Sequence, residues 1–572
     1  MNNELPAYLA GLNEQQLDAV RCHAQIVYVN AGAGCGKTML LVAKMVDYIA
    51  TEISPRKIVA LSYTNTAARQ IGERFCQQID KYSVSTAYDL FNGTIHSFCF
   101  RMMKSYMDRI GQEFEYTILD DEELREMKEE LRLQYSGTVS IEEYKTRLKV
   151  ISVEDILMLY LRMLDEDVAF QGWMQNQVNF MAIDEVQDLS AANYRILDRL
   201  LGLIPDLKLF LVGDPRQNIF EFNGGSYKNL DAFLSGHQYQ TRNLTMTYRF
   251  GQEIADYVNT FGFTDCKNYP LQSYGKMSAS VSVLSAQNEA EEAKRVIDMI
   301  GRCDKLTDCA VLSNNLHYFN PLIKALKQAK IPYKVFGGRK LVKRHIRFLN
   351  HILRILDNDN PYSISKIAGY AGIDIVQDGK KRKSKFFASE LGQLILGIRE
   401  DCAMLNFAAL MNCVIERIMQ DPEDDADILR DYANLLEVSS RFQTISDYLM
   451  AFASDKETFA VFYRRDYDDC ERTSEKGDYL TLSTIHSAKG LEWNHVFVMG
   501  LCEGNFPNPF FCQEKPADEQ AAFFNNEWKK MYVAATRAKQ TLNLSYAVTL
   551  SRKGYTFKKS SSRFINNLCQ SI

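Results

Sequence analysis

Residues 26–38 constrain the fold of this chain more than any other segment. Ile26–Val29 are mostly β-branched or aromatic, which predicts a buried strand, and Met39–Val46 are apolar enough for a packed helix. The glycines between them let backbone amides turn towards an anion without Cβ clashes. The pattern is that of a nucleotide phosphate loop, except that Ala31 stands where glycine is usual. From the loop alone, a glycine-rich turn that binds nothing remains an alternative.

The loop supplies the first candidate nucleotide-binding residues. Lys37 would reach the outer phosphates, and the Thr38 hydroxyl would ligate Mg²⁺ at the helix N-terminus. Cys35 is interpreted as a small filler of the loop. The candidates are Ala31, Gly32, Ala33, Gly34, Cys35, Gly36, Lys37 and Thr38.

Two later apolar strands end in polar groups that suit phosphoryl transfer. Phe180–Ile183 is followed by Asp184 and Glu185, a pair that could hold Mg²⁺ and orient an attacking water. Leu209–Val212 leads to Gln217, which could sense the γ-phosphate. Phosphoryl transfer needs a metal holder, a water-positioning group and cations on the developing charge. Because these parts occur together, a solvated strand end is the weaker explanation of the two carboxylates.

Bulk composition limits the class of protein. A chain of 572 residues is too long for one core, so several domains are expected. No apolar run approaches the roughly 18 residues of a membrane span, and the N-terminus lacks a signal pattern. Thirteen cysteines without a C-x-x-C pair predict reduced thiols and cytoplasmic residence, and argue against zinc ribbons and iron–sulfur clusters. With a net charge of −5, any nucleic-acid site must be a local basic and aromatic groove.

Two turns combine aromatic rings with small hydroxyl groups. They lie at residues 63–69 and 93–98, and aromatic residues next to glycine recur at 218–226. This mixture suits a single nucleic-acid strand, because bases stack on rings while hydroxyls and amides hold phosphates. Packing in a core is the alternative for Tyr63 and Phe98.

The alternation of strands and helices predicts two α/β cores, each interrupted by a mainly helical insertion. Inside the second insertion, residues 380–385 predict a basic loop, open either to phosphate contact or to solvent, and residues 421–425 an acidic turn. The predicted parts are a first core at 1–95 and 180–265, a first insertion at 96–179, a second core at 266–365 and 478–572, and a second, short insertion at 366–477.

The ordered set of motifs resembles the superfamily 1 helicases of the UvrD, PcrA and Rep type, from about residue 12 to residue 565. The run ending in Trp493 is highly specific, and alanine is common in this family at the position of Ala31. The resemblance implies an α/β fold of two RecA-like P-loop cores, with parallel sheets flanked by helices. The matching segments are Ala31–Thr38, Ile183–Asp188, Val212–Gln217, Thr247–Arg249, Leu482–Trp493, Glu503–Pro507, Met531–Lys539 and Ser562–Phe564.

The resemblance also implies a site for ATP and Mg²⁺ between the two cores. Gln16 would recognise the adenine, Tyr248 would stack on it, and Glu492 would contact the ribose. Arg249 and Arg537 would neutralise charge on the leaving phosphate from opposite sides of the cleft, so hydrolysis would depend on cleft closure. The implied catalytic residues are Lys37, Asp184, Glu185, Gln217, Arg249 and Arg537, with Thr38 and Asp184 as metal ligands.

A single-stranded DNA track across both cores is implied in the same way. Relatives step along such a strand from 3′ to 5′, and His486 would couple the track to the ATP site. The expected partner is single-stranded DNA or DNA with a 3′ single-stranded tail. The implied track residues are Tyr63, Thr64, Asn65, Thr94, His96, Ser97, Phe220, Phe222 and His486.

Departures from the family pattern bear on strand separation. Phe222 and Asn223 stand where relatives often have Trp and Arg, which removes one cationic strand contact. The second insertion, which helps the larger relatives to grip duplex, is shorter, so ATP-driven translocation is the stronger expectation than unwinding. A second hypothesis is a DNA-sensing ATPase subunit that activates a separate nuclease, since the compact size is similar to that of the helicase-like subunit of Gabija-type anti-phage systems. A phosphate-loop kinase or GTPase fits poorly, because the motifs spread over two cores.

Overall fold

Parallel sheets and surrounding helices form two α/β cores with two helical insertions in the computed structural model of the protein. Within the described part of the chain, no helix is both long enough and apolar enough to cross a membrane. The structure describes residues 6–51, 58–82, 90–112, 114–135, 139–220, 224–267, 269–337, 340–372, 379–402, 404–418, 426–455, 458–465, 477–552 and 555–569.

Among the described residues, the strands form two large sheets, one in each core, and three two-stranded pairs. Their bounds are β1 Ile26–Ala31, β2 Ile58–Leu61, β3 Leu90–Gly93, β4 Thr117–Ile118, β5 Val150–Ile151, β6 Phe180–Ile183, β7 Lys208–Gly213, β8 Gln240–Leu244, β9 Met246–Thr247, β10 Gln272–Ser273, β11 Ser280–Asn288, β12 Cys309–Ser313, β13 Tyr333–Phe336, β14 Lys340–Val342, β15 Tyr463–Arg465, β16 Leu480–Thr484, β17 Trp493–Val498, β18 Ala538–Arg552 and β19 Tyr555–Lys558.

Helices cover the sheets and build the insertions. Their bounds are α1 Glu14–Arg21, α2 Lys37–Thr51, α3 Asn65–Tyr82, α4 Ile95–Arg109, α5 Asp121–Tyr135, α6 Ile141–Leu148, α7 Val153–Glu166, α8 Val168–Met174, α9 Ala191–Leu203, α10 Tyr227–Ser235, α11 Gln252–Asn259, α12 Glu289–Ile300, α13 Asn320–Ala329, α14 Arg344–Asn358, α15 Pro361–Tyr370, α16 Gly379–Phe387, α17 Glu390–Asp401, α18 Phe407–Ile418, α19 Ala426–Ser439, α20 Ile445–Ser454, α21 Ala517–Ala535 and α22 Asn566–Cys569.

The first sheet is entirely parallel, in the order β3-β2-β6-β7-β1-β8. Its central strands are buried on both faces, which explains their unbroken apolar sequences. Asn30 pairs with Gly213 and Ile183 with Leu211, so β1, β6 and β7 end at the same edge. In open parallel sheets, ligands bind outside the carboxyl ends of the strands. This edge therefore collects the polar residues that follow the three strands.

The second sheet has the order β11-β18-β17-β12-β16-β13 and is parallel, apart from β19, which pairs antiparallel with β18. One hydrophobic cluster contains residues of both cores, including Val212 of the first sheet and Val498 and Tyr532 of the second core. The two cores thus pack against each other. The α/β fold of two parallel-sheet cores, predicted from the sequence, is confirmed.

The second insertion has its own hydrophobic core. That core includes Val342 and residues of helix α14, which precede the boundary predicted at residue 366, and residues of helix α15, which spans it. Tyr362 of α15 packs instead with Leu119, Met127 and other buried residues of the first insertion. The packing therefore begins the second insertion near β14, and brings the two insertions into contact.

Residues 380–385 lie in helix α16, so the prediction of a basic loop there was wrong. Phe386, one residue further on, is fully buried in the core of the second insertion. This buried side chain anchors the helix that contains the charged segment. The predicted acidic turn at 421–425 and Phe222 of the implied DNA track both lie outside the described residues.

Ion pairs join the two insertions. The guanidinium of Arg354 in α14 donates to both carboxylate oxygens of Glu123 in α5, and both side chains are about 2% exposed. Arg354 also donates to the carbonyl of Ile118 at 2.9 Å, and Arg347 donates to Glu126 at 3.0 Å. Burial alone would raise the pKa of Glu123, but Arg354 outweighs it and lowers that pKa to about 2. Removing one partner of such a buried charge pair is strongly destabilising, because the other charge is left buried and unpaired.

His351 lies in the same interface. Its Nε2 is 3.8 Å from a Glu123 oxygen and its Nδ1 is 3.2 Å from the Ser363 hydroxyl. Burial lowers the pKa of His351 to about 3, whereas the unfolded imidazole titrates near about 6.5. Between these two pKa values, the unfolded state therefore carries a proton on His351 that the folded state does not bind. The contribution of His351 to stability is complete above about pH 6.5 and is lost as the pH falls towards 3.

We expect His351→Gln to remove this dependence. Between about pH 7 and about pH 5, the wild-type protein should lose about 2 kcal/mol more unfolding free energy than the variant. Urea unfolding at both pH values measures the difference. His317→Gln, at an exposed histidine, is the matched control and should follow the wild type. Equal acid sensitivity of wild type and His351→Gln would refute the prediction.

Candidate functional site

The loop after β1 has the conformation that its glycines permit. Gly34 and Gly36 adopt φ of +75° and +80°, in the region that favours glycine. A Cβ on Gly34 would lie 2.5 Å from the Thr247 hydroxyl, and one on Gly36 would lie 2.8 Å from Nε2 of Gln16. The loop leads directly into Lys37, the first residue of the 15-residue helix α2. The backbone is therefore shaped to present amides and a helix N-terminus to an anion.

Other loop residues serve as packing. Ala31, Ala33 and Cys35 are each about 1% exposed or less, and Gly32 is also buried. Burial raises the pKa of the Cys35 thiol to about 12, so the thiol is inert and fills space as expected. The Lys37 ammonium lies 3.5 Å from the Ala31 carbonyl. It remains near the loop mouth, where it can be drawn to a phosphate.

Asp184 and Glu185 stand where β6 ends. Burial, with the Glu185 charge in second place, raises the pKa of Asp184 well above its usual range. For Glu185, burial is outweighed by the ammonium groups of Lys37 and Lys489, and its pKa is lowered. Glu185 has φ of +52°, a strained backbone for a side chain with Cβ, and accepts a 2.5 Å hydrogen bond from Gln187.

The chemistry of this donor set fits Mg²⁺. Buried Asp184 and half-buried Glu185 are adjacent and lie near the Lys37 charge, and Thr38 follows that lysine in α2. Hard oxygen ligands of this kind, together with nucleotide phosphates, are the usual surroundings of protein-bound Mg²⁺. Thr38 and Asp184 are the residues that would hold the ion.

The second core reaches into the first at Gln217. The Gln217 amide donates to Asp214 at 3.0 Å, and its Oε1 accepts a 3.3 Å hydrogen bond from Arg537. Arg537 is 1% exposed and also donates to the carbonyls of Val533 and Leu491 at 2.9 and 3.1 Å. The structure thus brings together the predicted γ-phosphate sensor and the arginine of the opposite core.

A second arginine lies beside the first. Arg249 donates to Glu492 at 2.8 Å and to the Thr536 carbonyl at 3.1 Å. Burial, followed by the like charge of Arg249, lowers the pKa of Arg537 to about 9. A buried guanidinium with a second cation nearby favours a bound anion beside it. The positive charge of Arg537 and Arg249 is the observation that best fits a triphosphate in the cleft.

At the expected adenine end of the site, Gln16 forms hydrogen bonds with the protein backbone. Gln16 is fully buried, donates to the Cys35 carbonyl at 3.1 Å, and accepts from the Asn13 amide at 3.1 Å. Its amide therefore supports the phosphate loop, and adenine recognition by Gln16 stays a prediction. Tyr248 is 37% exposed, and its ring centroid lies 4.7 Å from that of Tyr274. Tyr274, which sequence reasoning missed, extends the aromatic surface.

Lys489 was also missed, although it lies within the longest matching motif. Its ammonium forms an ion pair with Asp188 and donates to the Gln217 carbonyl at 2.7 Å. It also lies 4.9 Å from the centre of the Phe220 ring. Tyr532 similarly spans the cleft, donating to Asp214 at 2.9 Å. The partners of both residues are about 300 positions away in sequence, so no local pattern marks these contacts.

The predicted DNA-track residues fall into two groups. Tyr63 stacks on Phe220 with ring centroids 5.1 Å apart, and Phe220 lies 6.2 Å from the His486 ring, so these three form a row where the cores meet. Asn65 opens α3, and its Nδ2 is buried without a hydrogen-bond partner.

The other track residues have local structural partners. Thr94 and Ser97 form the capping box of α4, and the Thr64 hydroxyl accepts from the Ala67 amide at 3.2 Å. Burial lowers the pKa of His96 to about 4 and, as the largest cause, that of His486 to about 4, so both rings are neutral. Phe98, in contrast, is 1% exposed and packs against Tyr160, as the core alternative predicts.

Comparisons with known proteins cover nearly the whole chain. The model of the UvrD/REP helicase N-terminal domain matches residues 12–147 and 135–238, and that of the UvrD-like helicase C-terminal domain matches 243–382 and 416–549. The chain is 24% identical to the ATP-dependent DNA helicase PcrA of Staphylococcus aureus, over 99% of this chain and 87% of that protein. DNA helicase II of Haemophilus influenzae is 24% identical over 99% and 88%, and PcrA of Bacillus subtilis is 26% identical over 97% and 85%.

Proposed function

We propose that this chain, which belongs to the UvrD/REP family of helicases, is a DNA-dependent ATPase that steps from 3′ to 5′ along single-stranded DNA. The observation that carries the proposal is the contact between Arg537 of the second core and Gln217 of the first, with Arg249 beside it. The family and its named relatives support ATP as the fuel and DNA as the substrate.

In the proposed reaction, ATP lies between the phosphate loop and the two arginines. Glu185 orients the attacking water and takes its proton, while Lys37 holds the outer phosphates. Bound Mg²⁺, held by Thr38 and Asp184, would neutralise charge on the β- and γ-phosphates. Arg249 and Arg537 stabilise the charge that develops as the terminal bond breaks. Loss of the γ-phosphate removes the anion between the arginines, which favours opening of the cleft.

Stepping requires that the strand respond to this cycle. Lys489 supports such coupling, because it contacts Gln217 on the ATP side and the Phe220 ring on the DNA side. Phe220 and its stacking partner Tyr63 offer bases an aromatic surface at the junction of the cores. A shift of the second core therefore moves Lys489 and His486 relative to the rings on which a base would stack.

Purified protein tests the proposal directly. ATP hydrolysis should rise at least about tenfold on addition of single-stranded DNA, and Lys37→Ala should abolish the activity because the phosphates lose their counter-charge. Lys327→Ala, at an exposed lysine of α13, is the control and should behave as wild type. Hydrolysis that ignores DNA, or survives Lys37→Ala, would reject the function.

A second candidate is a DNA-sensing ATPase subunit that activates a separate nuclease, with little unwinding of its own. The buried Arg354–Glu123 pair favours it, because this pair fixes the second insertion on the first. A fluorescent forked duplex with a 3′ tail discriminates the two. Robust unwinding by the isolated chain rejects the sensor, whereas translocation without unwinding, together with co-purification of a nuclease from the cytoplasm of the native host, supports it.

A further inference from the structure

A cavity of about 380 Å³ lies between the first core and the second insertion. One wall consists of residues from α3, β3 and α4. The other consists of residues between 441 and 459, which follow α19 and include part of α20. The volume falls within the range of about 300–1,000 Å³ in which proteins hold small organic ligands. The lining is rich in arginine and in aromatic rings, which indicates the chemistry of a ligand.

Three arginines line the cavity: Arg69 of α3 in the first core, Arg101 of α4, and Arg441 of the second insertion. Arg69 reaches the exposed Glu73 only at 3.7 Å, and Arg441 reaches the exposed Glu437 at 3.4 Å. Exposed pairs of this kind hold a charge weakly. The cations therefore remain available to an anion.

The two carboxylates that line the cavity, Asp447 and Asp455, accept hydrogen bonds from neighbouring residues of their own segment. Asp447 accepts a 2.8 Å hydrogen bond from the hydroxyl of Thr444, the N-cap residue of α20, and its own amide donates to that hydroxyl at 3.1 Å. Asp455 accepts from the Thr458 hydroxyl at 2.7 Å and from the Thr458 amide at 3.1 Å. These local bonds turn the acidic groups towards their own segment.

The cavity adjoins the predicted DNA track. Asn65 and Ser97, both implied track residues, line it, and the buried Nδ2 of Asn65 has no protein acceptor. Phe91 and Phe442 provide a ring on each side, and Phe91 lies 5.4 Å from the Arg101 guanidinium. Aromatic rings interleaved with arginines are the pattern that binds single strands, in which bases stack and phosphates meet cations.

The insertion wall is fixed in place. The hydroxyls of Thr66 and Thr458 lie 3.0 Å apart across the contact, and Lys104 donates to Thr444 at 3.3 Å. Together with the buried ion pairs between the insertions, these bonds hold Arg441 and Phe442 over the core. These contacts therefore maintain the cavity in the folded protein.

We propose that this cavity is a nucleotide subsite of the DNA track, closed by the second insertion. It rests on the proposed function, and it adds a single-strand contact from the second insertion, whose implied role in relatives is to grip duplex. A phosphate lies among Arg69, Arg101 and Arg441, the base stacks on Phe91 or Phe442, and Asn65 donates to the strand. The second insertion thus clamps the strand on the first core.

Fluorescence anisotropy of the full chain with a labelled oligothymidylate tests the subsite. Arg441→Ala should weaken binding about fivefold or more, and should reduce the slope of log affinity against log salt by about 0.7, the value for one single-strand phosphate contact. Phe442→Ala should weaken binding about fivefold or more with the salt slope unchanged, because stacking carries no charge. Arg417→Ala is the matched control, since Arg417 is 40% exposed in the same insertion and pairs with Asp401.

The outcomes separate the subsite from the proposed function. If DNA stimulates ATP hydrolysis but Arg441→Ala matches Arg417→Ala in affinity and salt slope, the subsite is wrong and the translocase stands. If Arg441→Ala or Phe442→Ala binds more tightly than wild type, the insertion covers the track as an obstacle, and the subsite is again wrong. If the wild type does not bind the oligonucleotide, both proposals fail.

Discussion

Arg537→Ala should lower DNA-stimulated ATP hydrolysis by about a thousandfold or more, which is the range lost when an arginine on the transferred phosphoryl group is removed. The guanidinium is buried, contacts Gln217 of the opposite core and is crowded by Arg249. Removing it leaves the cleft without the cation that the second core supplies. Steady-state phosphate release at saturating DNA and ATP measures the loss.

The same side chain donates to two carbonyls of its own core, so a purely structural loss has to be separated from a catalytic one. Arg537→Lys keeps the charge but not the forked geometry, and should also be severely impaired. Both variants should bind a fluorescent ATP analogue and keep a thermal midpoint near that of wild type. Arg302→Ala, at an exposed arginine, is the control. Normal turnover by Arg537→Ala would show that the cleft does not operate by closure.

Glu185→Gln should reduce hydrolysis by about a hundred- to ten-thousandfold, the usual contribution of a general base, while ATP binding is retained. Glutamine is nearly isosteric, so the strained backbone at Glu185 and the neighbouring Gln187 are disturbed little. The variant cannot accept the proton of the attacking water. Single-turnover chemistry measured by quenched flow should be slow in the variant, with nucleotide affinity within a few-fold of wild type.

A matched comparison is available in Glu503, a partly buried glutamate that forms an ion pair with Arg563 far along the chain. Glu503→Gln should keep the catalytic rate of the wild type. If Glu185→Gln hydrolysed ATP at the wild-type rate, another group would have to activate the water. Loss of nucleotide affinity in Glu185→Gln would instead indicate that this carboxylate chiefly holds the metal.

The elements that carry the phosphate chemistry were predictable because local rules determine them. Each of β1, β6 and β7 is an apolar run buried on both faces and followed by polar residues, and parallel strands bring such ends to one edge. The glycines at 34 and 36 were likewise predictable, because a tight phosphate loop requires positive φ values, which glycine adopts without strain.

Contacts across the cleft could not be read in this way. Lys489 meets Asp188, and Tyr532 meets Asp214, only because the two cores pack together, and periodicity does not encode that packing. Gln16 shows the same limit, since its motif indicates a nucleotide contact while its amide is engaged by the loop backbone.

The second insertion was the least predictable part. Dense charge at 380–385 concealed a helix anchored by Phe386, and the docking of α14 on α5 depends on buried charge pairs between distant residues.

Translocation kinetics would show whether ATP cleavage between the two cores drives movement along a strand. Protein bound to oligothymidylates of increasing length, labelled at the 5′ end, is mixed rapidly with ATP and a trap for free protein. We expect a fluorescence lag that grows in proportion to oligonucleotide length, no such lag with a 3′ label, and loss of the signal in Arg537→Ala. A signal that appears at once and is independent of length, with the label at either end, would contradict this mechanism.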